Sequence, residues 1–536
     1  MLSIAAFVAS RNQWNPDRFF IFSTEILLIF VLSQLFYYKA LKYLGYLLSS
    51  VFYFVCLVNI VSVAVTGDYI TYIMWNNLAN LKALGPSVNT IILAVILIFI
   101  LCFLPTRQNW LFQHQNLFNV LTILTIIGYG YAGTLQESPL SGWVSLYNSG
   151  VKTHQTLSKF ESEKGQRKEL YAEFEQPSIE GGYNGTLYNP NVIVIFAEGL
   201  SKEVLDGNNG SYTDLTPNLD EFTKSAINVT NYYNQTAATY RGLRGQLFSS
   251  QQYLEGYENG IPAIEKETDT KLTSVQSILS DNGYSTAMIN PEPDQDLFVS
   301  YLNELGFDKI ISGPRSELIN SGGEMTLSDE DNLQLLLETA EEKNNNGESF
   351  FLSTYTYQTH VGLTSNIKYG DGKNEYLNKY HALDAAFGEF WNAFKASSLY
   401  NNTIVVFTTD HATFPDPTYA STFKVGRSIY LSTVPLLIYY PGAQPQVIDA
   451  AGKNSLSLAP TLLDMTGMEA SKNYFLGDSL FSTQTSEMSY ITAIGDELYS
   501  TKDYGKGVVT ITSKNRPDYS TQLKELEDYY KISLHY

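Results

Sequence analysis

Four long apolar runs open the chain, at residues 19–37, 41–65, 88–104 and 117–132. A helix of about 20 apolar residues matches the hydrocarbon thickness of a bilayer, so each run is predicted to span a membrane. Several such runs in succession, with no small-residue cleavage pattern, argue against a cleaved secretory signal. Between the second and third runs, "YITYIMWNNLANLKALG" (69–85) is amphipathic and aromatic. It reads as an interfacial helix or a fifth, imperfect span. Lys39, Lys42 and Arg107 occupy the short loops and are expected on the cytoplasmic side. With four spans, the large C-terminal part then lies outside. A five-span chain reaches the same outcome if its amino terminus is inside.

From residue 190 the pattern changes to short apolar stretches alternating with amphipathic ones. Strands are predicted at 191–197, 227–233, 285–290, 349–357, 402–409 and 434–440. Helices are predicted at 216–226, 273–284, 375–397 and 455–467. After its leading Asn, "NVIVIFA" is apolar on both faces, as a strand covered on both sides requires. This alternation predicts an α/β domain with a central, mostly parallel sheet. The fold expected for the whole chain is therefore an N-terminal helical transmembrane bundle followed by that α/β domain. The predicted organisation is a membrane region at 1–133, a helical connector and turn-rich linker at 134–188, the α/β domain at 189–485, and a small β-rich extension with a terminal helix at 486–536.

Charge sharpens this division. Of 34 Lys/Arg and 54 Asp/Glu, six and three fall within residues 1–133, so the remainder carries 28 and 51 and a net charge of −23. A surface this acidic excludes nucleic-acid binding through a basic face. The two cysteines, Cys56 and Cys102, both lie in apolar runs, so the α/β part has no disulfide, no thiol nucleophile and no Cys-ligated zinc site.

In parallel α/β sheets, functional groups gather outside the carboxyl ends of the strands. Three predicted strands end in such groups. The first runs into Glu198, the fifth into Asp410-His411, and the second into "NQTAATYRGLRG", which holds Thr239. Glu198, Asp410 and His411 are a donor set for Mn²⁺, with Zn²⁺ or Mg²⁺ as alternatives. A hydroxyl beside such an ion becomes a nucleophile near neutral pH, which assigns that role to Thr239. Arg241 and Arg244 are candidates for holding phosphate oxygens, Arg241 being the nearer to Thr239 in sequence. His360, after the strand at 349–357, is a candidate substrate contact or proton donor. Singly, each residue has an ordinary structural reading as a cap, a surface carboxylate or a packed ring. Their convergence at strand ends carries the prediction of a phosphoryl-transfer site. His381 and Asp384, one turn apart on a helix, are expected to be structural.

The ordered set "NVIVIFAEGLS", "TPNLDEF", "YYNQTAATYRGLRGQLFS", "YQTHVGL", "NTIVVFTTDHATF", "VPLLIYYPG" and "LAPTLLDMTG" with "YFLGDSLF" resembles the sulfatase-like alkaline phosphatase superfamily. Within it, the resemblance is to lipoteichoic acid synthases and related phosphoglycerol or phosphoethanolamine transferases, and covers about residues 190–485. It implies a metal site on Glu198, Thr239, Asp410 and His411, with Thr239 as nucleophile and His360 on the substrate group. It further implies a phospholipid donor, a cell-surface glycan or polymer acceptor, and an extracytoplasmic catalytic domain on a bacterial cell membrane. Two departures bear on specificity. Sulfatases carry a Cys or Ser followed by a Pro-Arg pair where this chain has "TYRGLRG", which argues against sulfate-ester hydrolysis. Lipoteichoic acid synthases carry a Gly-Lys-Thr-Ser start and a Trp-Arg pair, where this chain has "AATYRG" and Asn290, Glu292 and Asp294. A metal-dependent phosphodiesterase of the same fold and a catalytically inactive membrane assembly partner are the alternative readings. A transporter is disfavoured because Glu25 is nearly alone as an internal charge in the apolar runs.

Overall fold

A computed structural model describes residues 16–35, 41–66, 69–77, 87–103, 115–135, 137–162, 167–205, 210–251, 272–292, 297–312, 326–426, 429–469, 471–494, 497–506, 509–511 and 520–533. The loop residues Lys39 and Arg107, together with Asp294, lie outside them. The chain divides into two compact units, residues 1–155 with 415–429, and residues 156–414 with 430–536. This differs from the expected boundary at 133 in two ways. Most of the connector helix belongs with the N-terminal helices, and a 15-residue excursion from the middle of the α/β sequence joins them too.

The N-terminal unit contains α1 (Pro16–Leu35), α2 (Lys42–Thr66), α3 (Tyr72–Asn77), α4 (Ser87–Phe103), α5 (Gln115–Leu135) and α6 (Pro139–Ser162, up to residue 155). All four apolar runs are helical, and part of the 69–85 segment forms α3. Among the described residues, two helical segments are long and apolar enough to cross a membrane, Tyr43–Val63 and Phe118–Leu135; Ile92–Phe103 is apolar but shorter. The first run, in α1, is not among them. Helix α1 carries Asp17, Arg18 and Glu25, and Glu25 is fully buried, accepting hydrogen bonds from Tyr129 Oη at 3.1 Å and the Leu140 amide at 3.0 Å. Among the described residues, length and composition thus support two spans.

The second unit continues through α7 (Arg167–Phe174), β1 (Asn191–Ala197), α8 (Pro217–Thr223), β2 (Ile227–Thr230), α9 (Thr239–Phe248), α10 (Val275–Asp281), β3 (Ser285–Asn290), α11 (Leu297–Asn303), β4 (Lys309–Ser312), α12 (Asp329–Asn345), β5 (Phe350–Tyr355), α13 (Glu375–Ala396) and β6 (Thr403–Thr409). Then α14 (Pro417–Phe423) lies in the excursion, where it packs on α2. The chain returns for β7 (Leu437–Tyr439), β8 (Gln446–Asp449) and α15 (Leu458–Met465). The stacked rings of Phe414 and Tyr430, 4.5 Å apart, close the base of the excursion. The expected C-terminal extension is a three-stranded antiparallel sheet, β9 (Ile491–Ile494), β10 (Glu497–Ser500) and β11 (Val509–Ile511), followed by α16 (Ser520–Ser533).

The main sheet has eight strands in the order β4-β3-β5-β1-β6-β7-β2-β8. All pairings are parallel except those of β7, which runs antiparallel to both β6 and β2. The three central strands β5, β1 and β6 are buried at every position. Burial on both faces is what their unbroken Val/Ile/Phe/Leu/Thr sequences require. The core on one face is continued by Tyr240, Leu243 and Leu247 of α9 and by the apolar side of α15.

Candidate active site

Three sequence-distant residues meet at the carboxyl end of the central strands. Glu198 directly follows β1, and Asp410 and His411 directly follow β6, its parallel neighbour. His411 Nε2 stands 3.6 Å from Glu198 Oε1 and 3.4 Å from Asp410 Oδ2. One ligand atom from each of the three lies within 4.8 Å of the others, and all three residues are buried. Thr239, the first residue of α9, donates its hydroxyl to Glu198 Oε2 at 3.0 Å. The structure therefore brings together the four residues expected at the centre.

The backbone holds each of them in place. Asp410 Oδ1 accepts from the amides of Gly199 at 2.8 Å and His411 at 2.7 Å. Gly199 has φ +52°, a left-handed conformation that favours glycine at this turn. His411 Nδ1 lies 2.8 Å from the Ala412 carbonyl, which fixes Nδ1 as the protonated nitrogen and leaves Nε2 with a lone pair facing the carboxylates. The Glu198 amide donates to Thr356 Oγ1 at 3.0 Å, and Thr359 Oγ1 donates to the Glu198 carbonyl at 2.6 Å.

Helix α9 is pressed onto the same turn. Gly242 has no room for a side chain, because a Cβ there would lie 2.1 Å from the Asp410 carbonyl oxygen. Gln246 Nε2 donates to the carbonyls of Thr409 at 2.8 Å and Asp410 at 3.2 Å. Thr239, Gly242 and Gln246 recur at helical spacing, so one face of α9 meets the strand end. Before it, Ala238 adopts φ +76° and ψ 143°, a region that L-residues other than glycine rarely enter.

The electrostatics call for positive charge. Burial and the Glu198 carboxylate push the Asp410 carboxyl up to about 7, against the opposing pull of His411 and the Gly199 amide. Burial pulls the His411 imidazole down, but the charges of Asp410 and Glu198 and the Ala412 carbonyl outweigh it and raise the group overall. Asp410 Oδ2 is buried and no hydrogen-bond donor reaches it. Two carboxylates, an imidazole lone pair and an orphaned carboxylate oxygen converging within a few ångströms fit a divalent cation.

His360 lies just beyond β5. Its Nδ1 is 3.0 Å from the Val361 carbonyl and its ring stacks on Tyr357. Packing around the ring pulls the imidazole down to about 4, with Lys379 and His411 acting in the same direction and the Val361 carbonyl and Asp410 against it. The two arginines fare differently from expectation. Arg244 turns away from the cluster. Its guanidinium lies over the Phe248 ring at 5.0 Å and donates to Ser250 Oγ at 3.3 Å and the Ser533 carbonyl at 3.4 Å. Five residues beyond Thr239, Arg244 falls off the helix face that carries the hydroxyl. Arg241 is buried, and Gln235 Nε2 holds its carbonyl at 3.3 Å. His381 and Asp384 are structural as expected. His381 Nδ1 meets the Leu215 carbonyl at 3.0 Å, and Asp384 accepts from the amides of Asn218 and Leu219 at the start of α8.

Residues that no motif pointed to also shape the centre: Thr356, Thr359, Gln246, Asp329 and Lys379. Only Gly242, three residues beyond the start of α9, offered a hint in the sequence.

The chain is 23% identical over 308 residues to phosphoglycerol transferase I of Citrobacter koseri, covering 53% of this chain and 38% of that protein. It is 23% identical over 389 residues to lipoteichoic acid synthase 1 of Bacillus subtilis, covering 65% of this chain and 58% of the relative. The match thus spans well under two thirds of either relative's own length. In fold, the crystal structure of the lipoteichoic acid synthase LtaP from Listeria monocytogenes superposes with a TM-score of 0.51 at 16% identity, over 68% of this chain and 96% of that one. The Sulfatase family model matches residues 190–468, just over half of the chain and the whole stretch from β1 to α15. The chain belongs to the sulfatase family, and its α/β domain shares the fold of that lipoteichoic acid synthase structure.

Proposed function

We propose that the chain is a metal-dependent phosphotransferase. It takes phosphoglycerol or phosphoethanolamine from a membrane phospholipid onto Thr239 and passes it to a hydroxyl of a cell-surface glycan or polymer. The observation that carries this reading is the Thr239 hydroxyl held 3.0 Å from Glu198 at the edge of the Glu198–Asp410–His411 cluster. Likeness to a phosphoglycerol transferase and a lipoteichoic acid synthase supports the donor class. Apolar helices in the same chain support a lipid donor and a membrane location.

A divalent cation, Mn²⁺ in first place and Zn²⁺ or Mg²⁺ as alternatives, would be held by Glu198, Asp410, His411 and Thr239, acidify the Thr239 hydroxyl and attract phosphate oxygens. The N-terminus of α9 adds the positive end of its dipole beside Thr239, a favourable setting for an anionic phosphate. Thr239 Oγ1 attacks phosphorus, a Thr–O–P bond forms, and the P–O bond to diacylglycerol breaks. The proton that leaves Thr239 Oγ1 is taken up by the neutral His360 imidazole, which passes it to the leaving diacylglycerol alkoxide. In the second half, the acceptor hydroxyl attacks phosphorus, the Thr–O–P bond breaks and Thr239 recovers its proton.

Peptide mass spectrometry on the full chain in detergent tests this. The protein is incubated with Mn²⁺ and either phosphatidylglycerol or phosphatidylethanolamine, with Thr239→Ala as control. A phosphoglycerol or phosphoethanolamine mass on the Thr239 peptide, absent from the control, names nucleophile and donor together. Metal bound with no adduct and no diacylglycerol from either lipid would overturn the donor assignment. Diacylglycerol released with the head-group phosphate going only to water would instead identify a phosphodiesterase.

A further inference from the structure

Two buried, oppositely charged side chains outside the metal cluster converge on one four-residue loop. Asp329, the first residue of α12, is 2% exposed, and its Oδ1 accepts from the amides of Tyr357 at 2.9 Å and Gln358 at 3.2 Å. Gln358 Oε1 in return accepts from the Asp329 amide at 2.9 Å. Lys379, on α13, is 3% exposed, and its Nζ donates to the carbonyls of Thr359 at 3.1 Å and His360 at 2.9 Å. Its ammonium also lies over the Tyr376 ring at 4.7 Å. The carboxylate therefore takes the amides of the first half of "YQTH", and the ammonium takes the carbonyls of the second half. The loop's own peptide dipoles connect the two charges. From inside the same loop, Thr359 Oγ1 donates to the Glu198 carbonyl, and the Thr356 amide donates to the Phe196 carbonyl at 2.9 Å.

A loop that only joined a strand to a helix would not need this. Burying a charge costs several kcal/mol unless it is well bonded, and here one carboxylate oxygen, Asp329 Oδ2, is buried with no hydrogen bond. Such a cost persists where a geometry is worth holding. The loop is tied to the cluster immediately before His360, because the Thr359 hydroxyl bonds the carbonyl of Glu198 at 2.6 Å.

We infer that Asp329 and Lys379 are positioning residues, a charge-bracketed clamp on residues 357–360 that sets the His360 imidazole against the Glu198–Asp410–His411 centre. The inference rests on the reading of His360 as a substrate-facing group. The clamp acts through hydrogen bonds to backbone, so Asn, which still accepts both amides, replaces Asp329 without loss, whereas Ala does not.

The test uses the full chain in detergent micelles containing phosphatidylglycerol with a fluorescent acyl chain, reading fluorescent diacylglycerol release, and hydrogen–deuterium exchange of the peptide covering 356–363. Lys379→Met and Asp329→Ala are each expected to lower kcat by about tenfold or more, with metal content unchanged. In a His360→Ala background, the same changes are expected to alter kcat by less than about twofold, because their effect runs through His360. Both variants should speed exchange at 356–363 while β1 and β6 stay protected, and Asp329→Asn should match wild type. If Lys379→Met does not fold, Lys379→Arg, which keeps charge but changes the reach to the two carbonyls, carries the same comparison. Full loss of rate from Lys379→Met in the His360→Ala background, or unchanged exchange at 356–363, overturns the clamp. Should wild-type protein release no diacylglycerol, the lipid-donor reading fails, and the exchange measurement alone still decides the clamp.

Discussion

The tightest packing at the site is between a helix and a strand end, and it makes one substitution unusually informative. Gly242→Ala adds a single methyl group whose ideal position lies 2.1 Å from the Asp410 carbonyl oxygen, 2.7 Å from the Asp410 carbonyl carbon and 3.3 Å from its Cα. These are backbone atoms next to a metal-ligand position, so no side chain can swing aside. Relief to 3.0 Å, below which real Cβ contacts are essentially never found, requires a movement of at least 0.9 Å. Thr239 shares that face of α9, so the same movement stretches its 3.0 Å hydrogen bond to Glu198 toward 4 Å. A misplacement of about 1 Å at a reacting group costs on the order of 10²-fold in rate. Stability changes less: roughly 0.5–1 kcal/mol gained from replacing a helical glycine offsets part of the roughly 1–3 kcal/mol lost to overpacking. Gly242→Ala should therefore remain folded by thermal melting and keep its metal by elemental analysis, while the rate of Thr239 labelling by phosphatidylglycerol falls by about two orders of magnitude. Labelling within about threefold of wild type, in a protein of unchanged melting temperature, would refute the claim that this contact sets the nucleophile.

Three further expectations follow from the same geometry. Ala238→Gly relieves a backbone conformation that costs about 1–3 kcal/mol for alanine, so the melting temperature should rise or hold while Thr239 labelling slows, because the nucleophile's turn is no longer forced; an unchanged labelling rate would remove Ala238 from the account. Arg244→Met should lower the melting temperature through its lost contacts with Ser250, Ser533 and Phe248 while kcat and KM for the lipid stay within about twofold; a large rise in KM would return Arg244 to the substrate. Burial raises the Asp384 carboxyl from its ordinary value to about 6, so the folded state favours the protonated form. Its contribution is complete below pH of about 4 and is lost as pH rises through about 6, and thermal melts across that window should show a downward slope that Asp384→Asn abolishes.

The parts of this molecule legible in the sequence are those whose physics is local. "NVIVIFA" and "NTIVVFTT" are strands because every position after the leading Asn is apolar or β-branched, and they coincide with β1 and β6. The amphipathic stretch at 375–397 coincides with α13, whose start is capped by Asn374 accepting from the amides of Tyr376 and Leu377. β4 and β8 escaped notice because four-residue edge strands with half-exposed faces carry little periodic signal. The long α12 was missed because its apolar positions are diluted by Asp and Glu, although Ser328 marks its start. At the site, Glu198, Asp410 and His411 were visible because strand ends announce themselves. Arg244 lies apart from them because helical phase, rather than distance along the chain, decides which side chains share a face. Asp329 and Lys379 had no sequence signal at all, since their partners are backbone groups of a loop that folding alone brings to them.

Sheet order explains why the reactive residues come from such distant parts of the chain. β1 sits between β5 and β6, with β3 and β4 beyond β5 and with β7, β2 and β8 beyond β6. After β1 the chain goes to β2 on one side of it and then to β3 on the other, so the connections part at β1 and leave a crevice above its carboxyl end. Glu198 is the residue that enters this crevice, and the turn after β6 brings Asp410 and His411 beside it from one side. The β5 loop, held between α12 and α13, brings His360 from the other side. The chain leaving β2 crosses back to place the start of α9 over the gap, where Gly242 and Gln246 dock it on the β6 turn. Each group is thus carried by a different strand or helix, so its position depends on packing across the whole sheet. Substitutions at Gly242 or Lys379, which meet the backbone of the turns that carry these groups, should accordingly change the chemistry as much as substitutions in the cluster itself.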